Sequence, residues 1–113
     1  MGHRRWFKVF SEKWLRGSMR DTSAERRGIW IDLLALASDG YYGAEGIIKL
    51  ADGGGLTDKQ IARILSLSAE QWATAKDFFT SENMILVEPD NTITIVNWRK
   101  YQSEFERQKP YRE

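Results

Sequence analysis

Apolar residues recur at helical spacing in three stretches between residues 21 and 83. In the first stretch they form two adjacent stripes, which is typical of a helix buried on a broad face. These stripes are Ile29, Leu33 and Leu36, and Trp30, Leu34 and Ala37. The second and third stretches predict the inward-facing residues Ile61, Ile64 and Leu65, and Trp72, Ala75, Phe78 and Phe79. The pattern therefore predicts three amphipathic helices.

Residues that favour helix starts precede each of these stretches. Asp21 or Thr22 is expected to cap the first helix, and Glu25 is placed to close a capping box on Thr22. Thr57 and Ser68 are expected to cap the second and third helices, because a hydroxyl group can accept from a free backbone N–H of the first turn.

β-prone segments follow the first and third helices. Residues 84–88 and 92–96 are separated by a proline-containing turn, which predicts a hairpin. Asn83 is expected to end the third helix in the left-handed conformation. The glycine-rich residues 40–55 are expected to form a loop that contains one short strand at residues 46–50.

Both ends of the chain are rich in aromatic residues. The segment Trp6–Phe10 is β-prone, residues 13–15 favour a brief helix before Gly17, and the tail from Asn97 is helical in pattern until Pro110. We expect these aromatic side chains to pack in the core or against a second copy of the chain. The residues concerned are Trp6, Phe7, Phe10, Trp14, Trp98, Tyr101 and Phe105.

The predicted elements follow the order of a winged helix-turn-helix domain: a helix, a short strand, two helices separated by a tight turn, and a hairpin. We therefore predict an α+β fold, mainly α, in one domain. Residues 1–20 would be an aromatic and basic N-terminal extension, residues 21–96 the winged-helix core and residues 97–113 a C-terminal helix. A generic helical hairpin without a wing is the alternative, and the hairpin directly after the third helix argues against it.

Charge is segregated along the chain although the net charge is only +1. Residues 1–27 carry eight basic and three acidic side chains, residues 28–96 carry four and ten, and residues 97–113 carry five and three. Basic residues between aromatic ones suit sequence-tolerant contact with the backbone of single- or double-stranded DNA. The candidates are Arg4, Arg5, Lys8, Arg26, Arg27, Arg99, Lys100, Arg107 and Lys109. Alternatively, these charges are solvated and balance the acidic middle.

The third helix would be the recognition helix of a winged-helix domain. Its candidates for base contacts are Gln71, Thr74 and Lys76, the last at the edge of the outer face. The rest of that face carries no arginine or asparagine and includes two carboxylates, which suits major-groove binding poorly. Its members are Glu70, Ala73, Asp77, Thr80 and Ser81.

Residues for catalysis or metal binding are scarce. His3 is the only histidine and the chain has no cysteine, so we expect no enzyme activity, no metal site and no cofactor. The longest apolar run, residues 29–37, is far shorter than the ~20 residues of a membrane span. No secretory signal is visible, so we expect a cytoplasmic protein without a membrane partner.

The last third of the chain contains a more specific pattern, from Ile93-Thr-Ile-Val-Asn-Trp-Arg-Lys-Tyr-Gln-Ser103 to Glu106-Arg-Gln-Lys-Pro-Tyr-Arg112. It resembles the end of the N-terminal domain of phage replisome organisers, which are DnaD-like replication initiation proteins of Gram-positive bacteria and their phages. The segment from Trp6 to Val9 and the helix that begins Ile29-Trp-Ile-Asp-Leu-Leu fit the same pattern, so the resemblance covers nearly the whole chain.

The resemblance implies a module for replication initiation or primosome assembly that binds DNA, self-associates as a scaffold, or does both. It also implies a homo-oligomer and contact with a replicative helicase or helicase loader. In DnaD-like proteins the N-terminal domain is chiefly an oligomerisation module, and a separate C-terminal domain contributes much of the DNA binding. Two alternatives stay open: a sequence-specific winged-helix transcriptional regulator, and a pure oligomerisation or protein-interaction domain without DNA binding.

Overall fold

The structure, a computed structural model, describes residues 6–100 and Gln102. Over these residues the fold is α+β and about half helical. Its elements are α1 (Ser11–Arg16), a 3-10 helix (Ser18–Asp21), α2 (Ala24–Leu36), β1 (Gly43–Ala44), β2 (Ile47–Ile48), α3 (Asp58–Ile64), α4 (Ala69–Ser81), β3 (Ile85–Val87) and β4 (Ile93–Ile95). The three predicted amphipathic helices are α2, α3 and α4. Of the predicted C-terminal helix, residues 98–100 and Gln102 are helical.

Two of the three predicted helix caps are confirmed. Thr57 caps α3 and Ser68 caps α4, each in a complete capping box with a glutamine three residues later. The prediction of Asp21 or Thr22 as the cap of α2 is wrong. Asp21 ends the 3-10 helix and the Thr22 hydroxyl donates to the Met19 carbonyl oxygen, so Ser23 caps α2 instead.

The four strands form one antiparallel sheet in the order β1-β2-β4-β3. The predicted hairpin is β3 and β4, each one residue shorter at either end than predicted, and Asn83 ends α4 with a positive φ of 59°. β2 lies within the predicted strand at residues 46–50. β1 was not predicted, because its two residues show no β-prone pattern in the sequence. The segment Trp6–Phe10 is not a strand.

The core lies between α2, α3, α4 and one face of the sheet, with Trp72, Phe79 and Leu33 among its largest fully buried side chains. Ile64, which was predicted to face inward, is 37% exposed. Ile61 and Ala62 set the buried face of α3, and Ile64 lies about 60° from Ile61 on the side away from Ala62, or about 110° from the middle of that face. Over the described residues, none of the helices combines the length and the apolar character that crossing a membrane requires.

Candidate functional site

The two ends of the described chain are joined by a reciprocal pair of hydrogen bonds. The Lys8 backbone N–H donates to Gln102 Oε1 at 2.8 Å, and Gln102 Nε2 donates to the Lys8 carbonyl oxygen at 3.2 Å. The Lys8 ammonium group also donates to the Gln102 carbonyl oxygen at 2.6 Å. Gln102 is buried and Lys8 is half-buried, so these bonds are partly shielded from water. We call this pair, together with Phe7 and Trp98, the terminal clamp.

Trp98 fixes the terminal clamp to the sheet. Its ring lies 6.4 Å from the Phe7 ring between centroids, and it packs directly on Gly46 in the turn between β1 and β2. A Cβ atom on Gly46 would stand only 2.4 Å from Trp98 Cγ, and the φ of Gly46 is +83°. Glycine is therefore required at this position for two independent reasons.

A cleft of about 500 Å³ lies between the N-terminal segment, α2 and the chain that follows β4. The apolar part of its lining comes from Trp14, Met19, Trp30, Leu34, Met84 and Trp98. Its volume and mostly apolar wall suit an apolar side chain better than a charged ligand.

The N-terminal segment is held against the domain but exposes large apolar side chains. α1 buries none of its six residues. Trp6 is 57% exposed, Val9 is 44% exposed and Leu15 is 54% exposed, and Lys13 and Arg16 are exposed beside them. Of the predicted self-association residues, Phe7, Phe10, Trp14 and Trp98 are half-buried, while Tyr101 and Phe105 lie outside the described residues.

Several of the basic residues predicted to bind DNA make contacts within the domain. Arg27 Nη1 donates to the carbonyl oxygens of Arg20 and Thr22, and the Arg26 guanidinium lies 4.2 Å from the centre of the Phe78 ring. These contacts leave other donors of both guanidinium groups for a ligand. Arg99 and Lys100 are exposed. Arg4, Arg5, Arg107 and Lys109 lie outside the described residues.

Arg20 is a positioning residue that the sequence analysis missed. Its Nη2 atom donates to the Trp14 carbonyl oxygen at 3.4 Å, and its guanidinium lies 5.8 Å from the centre of the Trp14 ring. Arg20 therefore fixes the end of α1 in the way that Lys8 fixes the chain before it. No helical or strand spacing in the sequence marks this contact, because both residues lie in short elements with no regular apolar pattern.

The outer face of α4 is exposed as predicted from its spacing, and it carries the carboxylates of Glu70 and Asp77. Of the base-contact candidates, Thr74 is exposed, but Gln71 and Lys76 are engaged within the domain. The Gln71 side chain accepts from the Ser68 N–H in the capping box and donates to Glu25 Oε1 at 3.3 Å. α4 thus offers little positive charge to a phosphate backbone.

Lys76 belongs to a polar network that joins α3, α4 and the hairpin turn. Its ammonium group lies 2.9 Å from Asp58 Oδ1 and 2.8 Å from Asn91 Oδ1. Trp72 Nε1 and Asn91 Nδ2 also donate to Asp58 Oδ1, at 3.0 Å and 3.2 Å. Partial burial raises the pKa of Asp58, but the hydrogen bonds from Lys76, Trp72 and Asn91 outweigh it and hold that pKa below its ordinary value.

A comparison with protein families identifies the family of this chain. The family model for the N-terminal phage replisome organiser matches residues 17–113, which is more than four-fifths of the chain. The chain belongs to this family. No curated protein and no solved structure matches it significantly.

Membership of the replisome organiser family indicates a role related to phage DNA replication. The matched residues of this replisome organiser domain include Gly46, Trp98 and Gln102, whereas Phe7 and Lys8 lie before the match. The resemblance recognised in the sequence extends further, because it begins at Trp6. Within the described ranges, His, Asp and Glu side chains do not gather in threes as a metal site would require.

Proposed function

We propose that this replisome organiser domain acts in phage DNA replication as a self-associating scaffold module. The observation that carries the proposal is α1, a six-residue helix that buries none of its residues and presents Leu15 to solvent, six positions after the exposed Val9. A helix this short is not stable alone in water, and within its own domain Trp14 alone of its six residues packs against the core. A protein partner that covers these apolar side chains would stabilise the helix and bury the apolar surface that it exposes.

In this proposal, α3, α4 and the hairpin are a winged helix that supports assembly and does not read bases. The exposed stripe of α4 contains Glu70 and Asp77 and lacks the bidentate donors that recognise base edges. Lys76 is held by Asp58 and Asn91, so freeing it for DNA would break two contacts. These features disfavour a sequence-specific regulator. The proposed module binds and assembles, and no catalytic step is assigned to it.

The test is the molar mass of the purified chain in solution, measured by light scattering and sedimentation over a range of concentrations. A dimer or larger species is expected, because two half-exposed apolar side chains per copy become buried in a contact. Leu15→Gln keeps good helix propensity and should shift the equilibrium toward monomer. A wild-type chain that stays monomeric at tens of micromolar would contradict the proposal.

Sequence-tolerant contact with DNA is a second candidate, favoured by the terminal clamp. The clamp joins Lys8 to Gln102 and so brings the N-terminal segment close to the chain after β4, and Arg16, Arg99 and Lys100 are exposed. Fluorescence anisotropy with unrelated single- and double-stranded oligonucleotides should show binding that weakens steeply with salt. The triple variant Arg16→Ala, Arg99→Ala, Lys100→Ala should weaken binding similarly on every sequence. Preference for one sequence would instead favour a regulator.

A further inference from the structure

A row of two exposed residues and one half-buried residue crosses the outer face of the sheet. Thr94 in β4 pairs with Ile47 in β2 on one side and with Leu86 in β3 on the other, so the three residues are cross-strand neighbours. Ile47 is 38% exposed and Leu86 is 55% exposed. The next residues along the strands, Ile48 and Ile93, face the core and are fully buried. We call Ile47, Thr94 and Leu86 the outer sheet row.

The surroundings of the outer sheet row are acidic. Glu45 lies in the turn before β2, and Glu88 and Asp90 lie in the turn between β3 and β4; all three are exposed. Glu88 is the first residue after β3 and follows Leu86 by two positions. Lys49 offsets only one of these three negative charges. This surface is therefore apolar at its centre and negative at its rim.

The N-terminal segment has the complementary character. Val9 and Leu15 are exposed apolar side chains, and in α1 the exposed Lys13 and Arg16 outnumber the exposed Glu12, which leaves a positive charge. The same contrast holds over longer stretches, because residues 1–27 carry a net charge of +5 and residues 28–96 a net charge of −6. Both surfaces are exposed in one copy of the domain, so neither is covered by the other within the same molecule.

We propose that the N-terminal segment of one copy docks on the outer sheet row of a second copy, head to tail. A symmetric contact between two N-terminal segments would bring two basic surfaces together, and a contact between two outer sheet rows would oppose their carboxylates. Only the mixed contact joins apolar to apolar and basic to acidic. A head-to-tail contact leaves one unused surface on each end copy, so it builds a ring or a filament of domains.

This inference rests on the proposed scaffold function and specifies which surfaces of two copies make contact. Two double variants block one surface each: Val9→Ser with Leu15→Gln, and Ile47→Thr with Leu86→Thr. Threonine preserves the β propensity of the strands. Glutamine preserves the helix propensity of α1. Ile64→Gln is the matched control, because Ile64 is 37% exposed, like Ile47, but belongs to neither surface. Circular dichroism and thermal melting establish that every variant is folded.

Each blocked variant alone should associate about tenfold or more weakly than the wild-type chain, since the burial of two apolar side chains is lost. Mixed in equal amounts, the two variants should form a heterodimer that grows no further, because only one pair of intact complementary surfaces remains. The control should associate like wild type. Association should also weaken as salt rises, since the rim charges are exposed.

The other outcomes separate the inference from the scaffold function. If the wild-type chain associates but the mixed variants stay monomeric, or if only one variant is weakened, the head-to-tail contact is wrong and the scaffold function stands. If the wild-type chain is monomeric, both fail. Loss of association in Ile64→Gln to the same extent as in the blocked variants would also overturn the assignment of these surfaces.

Discussion

Replacement of Gly46 by alanine perturbs the point where the terminal clamp meets the sheet. Two costs add at this position. Alanine at a φ of +83° is strained by about 1–2 kcal/mol. Its methyl group would also stand 2.4, 2.6 and 2.9 Å from three atoms of Trp98, all much closer than van der Waals contact. Overpacking of this kind costs about 1–3 kcal/mol, so the total loss is about 2–5 kcal/mol.

Two other glycines separate these costs in the same chain. Gly53 has a φ of +98° and nothing near its missing Cβ, so Gly53→Ala should show the backbone cost alone. Gly28 lies within α2 with open space around it and an ordinary φ. Gly28→Ala should therefore stabilise the domain by about 0.5–1 kcal/mol, because alanine has the better helix propensity.

The assay is urea unfolding of the three variants beside the wild-type chain, followed by tryptophan fluorescence. Gly46→Ala should lose more stability than Gly53→Ala by about 1–3 kcal/mol, the share that belongs to Trp98. Equal losses in the two variants would refute the reasoning, since they would mean that Trp98 moves aside without cost. A similar loss in Gly28→Ala would show that the effect is not specific to positive φ.

Two further predictions test the terminal clamp and the polar network. Gln102→Ala removes both reciprocal hydrogen bonds to Lys8 and leaves their partly buried backbone partners without them, so it should cost about 1–3 kcal/mol in urea unfolding, and unchanged stability would contradict a stabilising clamp. Asp58 has a lowered pKa, so its contribution to stability is full above its ordinary pKa of 3.8 and is lost as pH falls through the lower folded value. The stability difference between wild type and Asp58→Asn should accordingly be present at neutral pH and vanish in acid, with a size below about 1 kcal/mol because Asp58 is largely exposed. A difference that grows on acidification would contradict this sign.

The predictions from the sequence were most accurate for residues whose role depends on helical periodicity or on capping a helix end. Thr57, Ser68 and Asn83 are read correctly because a helix end depends on its nearest neighbours in the chain. The predicted cap of α2 was wrong because Asp21 ends an unpredicted 3-10 helix and Thr22 follows it as the C-cap. Ser23, the next residue, therefore caps α2.

Contacts between distant segments could not be predicted from spacing. Gln102 stands in the stretch that carries the family resemblance, but its bond to Lys8 joins residues 94 positions apart. Gly46 was predicted to begin the short strand at residues 46–50, but it lies in the turn before β2, where Trp98 packs on it. Lys76 was read as an outward residue at the edge of α4, and only the fold shows that Asp58 and Asn91 hold it. Each of these depends on which surfaces the whole chain brings together.

One long-range contact and one local contact explain how an apolar surface can be exposed and still be ordered. Lys8, just before α1, is bound to Gln102, and Trp14, near its end, is bound by Arg20. α1 is thus tethered on both sides while Val9 and Leu15 stay exposed. A tethered surface has already lost much of its conformational freedom, so a partner that binds it loses less entropy on association. In this domain the polar contacts on either side of α1 would therefore prepare its exposed apolar side chains for the proposed self-association.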